Sequence, residues 1–388
     1  MKFENYYDID IKFLSQSLNL PAQAMNFSIH DSINSFFSNA EINLQDNTGL
    51  FRESLLNING SSFELFFGDP NKTLKAKYVT RLSHSEEPKT FGTLNGDLNL
   101  FCEHEFFYQQ KETNAAYKDK ANKIVESTIK DYSFKKLNIK ETDSTIVLYR
   151  ISMNQKDFIE KNIIPNSFGS NCNDTPYYCF IDTENCFNFI SWNEMYSTSP
   201  VAKLYYSSTK PADFDKNKIF SIKPFSKDFN DISKNISKTN FYRDYDSGDF
   251  FKVDSNISNF PKNEKEKFLP MLRSGVQSFE TKSYFYKDYT RKELTKAQLI
   301  FDNKKTMNLE FFEIIVPFNS LINSGKTVEL EIKTQNEISK YNSGKFLVED
   351  CIHTWDGKNK RGLTTLIVSR KQIFIPSNYR LKNLVMEG

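Results

Sequence analysis

The side chains of this 388-residue chain that could do chemistry are few and poorly grouped. Its histidines are His30, His84, His104 and His353. His104 lies in Cys102-Glu103-His104-Glu105, a run of metal-binding residue types. On a strand, Cys102 and His104 would share one face while Glu103 and Glu105 share the other. A zinc site would need further ligands from elsewhere, and the nearby sequence lacks the paired spacing such sites use. Cys172, Cys179 and Cys186 recur at equal intervals rather than in close pairs, so they read as small apolar core residues. There is no Gly-x-Ser-x-Gly elbow, no Walker loop and no Gly-x-Gly-x-x-Gly. Glycoside hydrolysis needs two carboxylates flanking a sugar. With 49 acidic residues such pairs arise by chance, and Glu4, Asp8 and Asp10 read more simply as a solvated terminus. No catalytic, cofactor-binding or metal-binding residue is therefore assigned.

Bulk properties narrow the classes further. The 51 basic and 49 acidic residues nearly balance, so no whole-chain field recruits nucleic acid or an anionic membrane. The basic run Lys358–Arg361 is short and reads as a solvated hairpin tip. No window reaches the ~18 consecutive apolar residues of a membrane span, so stable membrane insertion is not expected. The first residues, MKFENYYDIDIKF, carry acids where a signal peptide would be apolar. An odd count of 5 cysteines does not describe a disulfide framework, which suits assembly in a reducing cytoplasm. With 36 Phe and 19 Tyr against 13 Gly and 12 Pro, core-forming material is ample for two or three domains.

The elements that must position these residues are mostly strands. Near-period-two alternation predicts strands over Asn26–Phe37, Glu41–Gln45, Gly49–Ile58, Ser62–Phe67, Lys75–Leu82 and Asp97–Phe107. The Asn59-Gly60 pair between two of them is a hairpin cue, because both residues tolerate positive φ. Composition then shifts. Asn114–Tyr132 predicts a helix capped by Asn114, with Ala121, Ile124, Val125 and Ile129 as its apolar stripe. A second helix is predicted over Asn154–Ile164, stopping before Pro165. Tyr177–Ile190 reads as two strands around an Asp182–Asn185 turn. Strands return at Ile219–Phe225, where Pro224 points to an edge or a bulge. Thr239–Lys265 reads as a long polar excursion and Thr290–Lys304 as a helix. Leu309–Val316, Thr327–Ile332, Lys345–Trp355 and Leu363–Val368 complete the strands, the last two joined by a polar Asp356–Gly362 turn.

That last hairpin also resembles a known family. Gly344, Phe346, Val348, Ile352 and His353, then Thr365, Leu366, Val368 and Arg370 after the turn, follow its order of residues. The segment is similar to the closing hairpin of the tube domain in phage baseplate hub proteins, the late-control D group. The same domain is shared with the base of type VI secretion spike proteins. The resemblance extends to the order of the whole chain: strand-rich, then helical, then strand-rich.

The fold class is read as α+β and mainly β. The resemblance implies two tube-type β-barrel domains, at 1–112 and at 206–239 with 296–372. Between them lies an α+β middle domain at 113–205, joined by part of 240–295. It further implies a homotrimer that joins a six-fold tail tube to a three-fold central spike. Partners would be the spike protein, tail tube or tube-initiator proteins and other baseplate proteins. The place would be the virion tail, after assembly in the host cytoplasm. His353 then reads as a hydrogen-bonded structural residue.

Two other readings stay open. One is a phage-tail hydrolase of cell-wall glycan working by carboxylates. The other is a neighbouring tail component, such as a tube initiator or distal tail ring, with one barrel per chain. Residues 373–388 are too apolar for a solvated terminus, and Pro376 should turn them off the last strand. Docking on a neighbouring subunit or the spike through Phe374, Tyr379 and Leu381, and folding back onto the chain's own barrel, are equally open.

Overall fold

A computed structural model describes residues 25–46, 96–143, 145–167, 169, 176–207, 217–225, 310–334, 337–339, 342–359 and 361–370. It also describes the strands at 10–13, 16–19, 62–69, 72–82, 237–243, 250–256 and 278–281. The expected Gly49–Ile58 strand, Thr290–Lys304 helix and the tail with Phe374, Tyr379 and Leu381 lie outside the described residues, as do His84 and Cys172.

Among the described residues the chain is mainly β, with its helices gathered in the middle. One sheet of 14 strands dominates the described residues. Its path runs from Ser221–Phe225 through Glu310–Pro317, Arg361–Arg370 and Gly344–Asp356 to Met25–Ser32. It continues through Asn39–Asp46, Gly96–His104, Lys72–Leu82 and Ser62–Asp69 to Asp10–Phe13 and Gln16–Asn19. Pro224 sits in a strand at one end of this path, where a residue without an N–H costs no ladder bond.

Gly344–Asp356 is the strand that makes the sheet continuous. On one side it pairs with Arg361–Arg370 along most of its 13 residues. On the other side it is shared. Gly344 to Leu347 pair with Thr327–Thr334, and Asp350 to Asp356 pair with Met25–Ser32. The handover falls at a bulge between Val348 and Asp350, where Glu349 is the extra residue. Its carbonyl accepts the Ile33 N–H at 2.9 Å, which fixes the turn after Met25–Ser32. The α+β, mainly β class holds, while two tube-type barrels are not confirmed. Among the described residues no barrel closes; the first and final strand-rich parts share one open sheet instead. The physical reason is length, because a strand of 13 residues can be divided between two partners.

The middle module packs against this sheet at the turn after Met25–Ser32 and at Leu347. Tyr177–Ile181 and Cys186–Ser191 form the expected hairpin, and Lys136–Ile139 adds a parallel strand. Phe36 and Phe37, from the turn after Met25–Ser32, plug a core built from Phe106, Ile124, Val125, Phe158, Phe187 and Phe189. A second cluster sets Leu347 of the sheet against Phe180, Trp192 and Met195. Each fully buried side chain of this size contributes about 1.5–3 kcal/mol by leaving water.

One sequence expectation here needs correcting. The helix expected over Asn114–Tyr132 begins only at Ala121, and Thr113–Lys120 is a strand paired with Thr145–Met153. Asn114 is not its cap: its side-chain oxygen accepts the Ser152 N–H at 2.7 Å. The helix Ala121–Ile129 takes its cap from another segment. The Thr142 hydroxyl accepts the Asn122 N–H at 3.2 Å and donates to Asn122 Oδ1 at 3.0 Å. Thr142→Ala should therefore cost about 1 kcal/mol, as loss of an amino-terminal cap does. Denaturant midpoints of the two proteins check it. The expected second helix holds, with Asn154 accepting from the Asp157 N–H, although beyond Phe158 it widens into a π turn and a 3₁₀ turn at Pro165.

The polar excursion after Thr239 contains structure that composition did not announce. Ser237–Arg243, Phe250–Asn256 and Ser278–Thr281 form a separate three-stranded sheet.

Candidate functional site at the closing hairpin

Alternation along the final two strands decides which residues turn inward. Phe346, Val348, Leu366 and Val368 have no exposed surface and pack with Phe312, Ile314 and Leu330. Ile352 and Thr365 are register partners on the opposite, half-buried face. Arg370 closes the end of the cluster. Its guanidinium lies 4.8 Å from the centre of the Phe346 ring and donates to the Ser343 carbonyl at 3.0 Å. Gly344 holds φ at 128°, a conformation that favours glycine, in the segment leading to that contact.

His353 anchors a buried polar network behind the hairpin. Its Nδ1 is 3.0 Å from the Thr364 hydroxyl, which in turn accepts the Asn319 N–H at 3.0 Å. Its Nε2 is 3.5 Å from Asn323 Oδ1 and 3.4 Å from Cys351 Sγ. A thiol beside an imidazole could be a nucleophile and its base. Burial removes that possibility here. Desolvation lowers His353 to about 4, and the Cys351 thiol is pushed well above its ordinary value while donating to the Ile322 carbonyl. Both side chains are fully enclosed, so a substrate has no approach.

His104 is a second enclosed imidazole, lowered by desolvation to about 4. Its Nδ1 accepts the Phe106 N–H at 3.2 Å, and its Nε2 meets Asn185 Oδ1 at 2.9 Å. Cys102 shares its buried face, as alternation predicts, and Glu103 lies on the other. No three His, Cys, Asp or Glu side chains gather as a metal site among the described residues. Cys179 and Cys186 are buried in the middle module. Cys102, Cys179 and Cys351, each 4% exposed or less, should resist alkylation while the chain is folded and react once it is denatured. Site-resolved mass spectrometry of alkylated protein checks this; rapid labelling of Cys351 in native protein would contradict the enclosed network.

Sequence reasoning missed the acid beneath the hairpin. Asp31 is 1% exposed and faces Cys351 in register. The signal available was its place in the alternation Phe27, Ile29, Asp31, which assigns a carboxylate to an inward position. Missed too were Asn323, which meets Thr183 from 140 residues away, and Thr364, the register partner of His353.

No protein-family model and no curated protein sequence matches the chain. Solved structures do. A tail protein from Neisseria meningitidis superposes over 95% of this chain and 98% of its own, with a TM-score of 0.60 and 10% identity. A 43 kDa tail protein of prophage MuSo2 from Shewanella oneidensis matches over 94% and 99%, with a TM-score of 0.57 and 8% identity.

The chain has the tail-protein fold.

A third match lies outside phages. An Escherichia coli component of the type VI secretion system, itself described as similar to phage T4 tail proteins, covers 95% of this chain and 79% of its own. Its TM-score is 0.50 at 9% identity. The resemblance drawn from the closing hairpin thus holds at the level of fold along most of the chain. At such identities the agreement resides in strand order and packing rather than in shared residues.

Proposed function

We propose that this chain is the structural hub of a phage tail or a related contractile injection system. In this reading it is a homotrimer that joins a six-fold tail tube to a three-fold central spike. The observation that carries the reading is the end-to-end likeness of fold to two tail proteins, with almost nothing left over on either side. The enclosed state of Cys351, His353 and His104 agrees with a structural rather than a catalytic role.

The sheet supplies the physical logic. Each chain contributes a first strand block, within 1–112, and a final one, at 206–239 and 296–372. Gly344–Asp356 hydrogen-bonds to both. Three chains then present six such blocks, and joining them in a ring would cover open sheet ends. The module at 113–205, with part of 240–295, would sit outside that ring. Gly344, Phe346, Val348, Ile352, His353, Thr365, Leu366, Val368 and Arg370 would hold the wall together rather than contact a substrate. Residues 373–388 would dock on a neighbouring subunit or the spike through Phe374, Tyr379 and Leu381. Spike, tube or tube-initiator and other baseplate proteins are the partners, and the virion tail is the place.

Native mass spectrometry of the chain purified with its neighbouring tail proteins tests this. The expected assembly holds three copies of the 45.3 kDa chain, with interfaces above ~2,000 Å² by electron microscopy. A six-fold ring of single chains would overturn the hub reading in favour of a tube initiator or distal ring. Deleting Ile375–Gly388 separates the roles of the tail: loss of association from a folded chain supports docking, and unfolding supports an intrachain role.

A further inference from the structure

Asp31 sits where three distant parts of the chain meet. Its Oδ2 accepts the N–H of Thr183, 152 residues away in the middle module, at 3.4 Å. Its Oδ1 accepts the N–H of Ser324, 293 residues away in the final block, at 3.3 Å. Both bonds are long, and long bonds stabilise a buried charge weakly. No cation lies within ion-pair distance of Asp31 among the described residues. A second buried carboxylate, Asp182, adjoins Thr183 and opposes the charge on Asp31. Ser324 also carries a buried hydroxyl with no hydrogen-bond partner, so it gives the carboxylate no further support.

We propose that this junction is a pH-sensitive fastening, closed when Asp31 carries a proton and loosened when it is charged. The proton removes the charge that burial disfavours. A charged Asp31 accepts more strongly from Thr183 and Ser324, but two long bonds offset little of its burial cost, so hydration of the charge would part these contacts. They tie the middle module and the final block to the first block.

The surrounding groups fix the sign. Desolvation, then Asp182, raises Asp31 to about 7. His30, next to it in the strand, works in the opposite direction, but it lies on the outer face and pairs with Asp350 at 3.6 Å. From the middle module Glu184 adds negative charge near Asp182, while Lys326 of the final block partly offsets it. Cys351 and His353, on the facing strand, are neutral around neutral pH. A carboxylate raised by folding favours the closed state most at low pH. That advantage is lost as pH climbs from the ordinary carboxylate range through about 7.

Hydrogen exchange of the full chain at pH 5.5 and pH 8, corrected for intrinsic rates, tests the proposal. The amides of Thr183 and Ser324 should lose protection roughly tenfold or more at the higher pH. In Asp31→Asn the loss should vanish, while amides in Gly344–Asp356 far from the junction behave alike in both proteins. Comparing the two proteins also removes the acid-side contribution of the buried histidines. Equal protection at both pH values in the wild type would overturn the idea. Should Asp31→Asn fail to fold, carbon-detected titration of aspartate-labelled wild type decides it: Asp31 titrating near neutrality supports the fastening, and titration below pH 5 refutes it.

Discussion

Phe346→Ala should destabilise the chain by roughly 3–5 kcal/mol, the range for emptying a fully buried aromatic site. The ring has no exposed surface, and three neighbours fix it. Phe312 meets it edge-on with centroids 5.5 Å apart, Val328 faces it across the strand pair, and the Arg370 guanidinium covers it at 4.8 Å. Truncation therefore opens a cavity and also takes the aromatic face from a buried cation. The surrounding strands are hydrogen-bonded on both sides, so the site has little freedom to collapse. Ile352→Ala, on the half-buried face of the same strand, is the control and should cost clearly less. Denaturant titrations followed by fluorescence measure both. A Phe346→Ala protein as stable as its Ile352→Ala counterpart would mean that the hairpin's inner face has been misassigned.

Gly325→Ala should cost about 2–4 kcal/mol, from two sources that a double mutant can separate. Gly325 holds φ at 75°, where a side chain strains the backbone. A Cβ there would also lie 2.6 Å from Phe180 Cζ and 3.2 Å from Met195 Sδ. The position cannot shift freely, because the Gly325 N–H donates to the Val348 carbonyl at 2.9 Å. Phe180 belongs to the middle module and Gly325 to the final block, so the clash would push the two apart. Phe180→Leu shortens the obstacle. Combined with Gly325→Ala it should recover the steric part of the loss and leave the φ part. Strictly additive losses would show that the two residues do not meet.

Both expectations rest on features of different visibility in the sequence. The inward set Phe346, Val348, Leu366 and Val368 is legible because a strand's faces are set by local alternation, whatever the strand pairs with. The Tyr177–Ile190 hairpin was legible for the same reason. A helix at Trp192–Ser197 was also within reach. Ser191 and Glu194 form a reciprocal capping box, a spacing visible in the sequence.

What failed did so where distant segments choose. Thr113–Lys120 has a composition suited to a helix, yet it becomes a strand because Thr145–Met153 offers a ladder and Asn114 takes a partner across it. Likewise the helix after it begins where Thr142 supplies a cap. Local alternation is enough for the mainly-β class and the inner face of the closing hairpin, and the residue order of that hairpin carries the resemblance to phage baseplate hub proteins. Folding in three dimensions divides the far edge of Gly344–Asp356 between Thr327–Thr334 and Met25–Ser32. It alone placed Asp31 between Thr183 and Ser324. The difference is physical: side-chain periodicity is written residue by residue, whereas strand partners and buried charge depend on contacts between segments hundreds of residues apart.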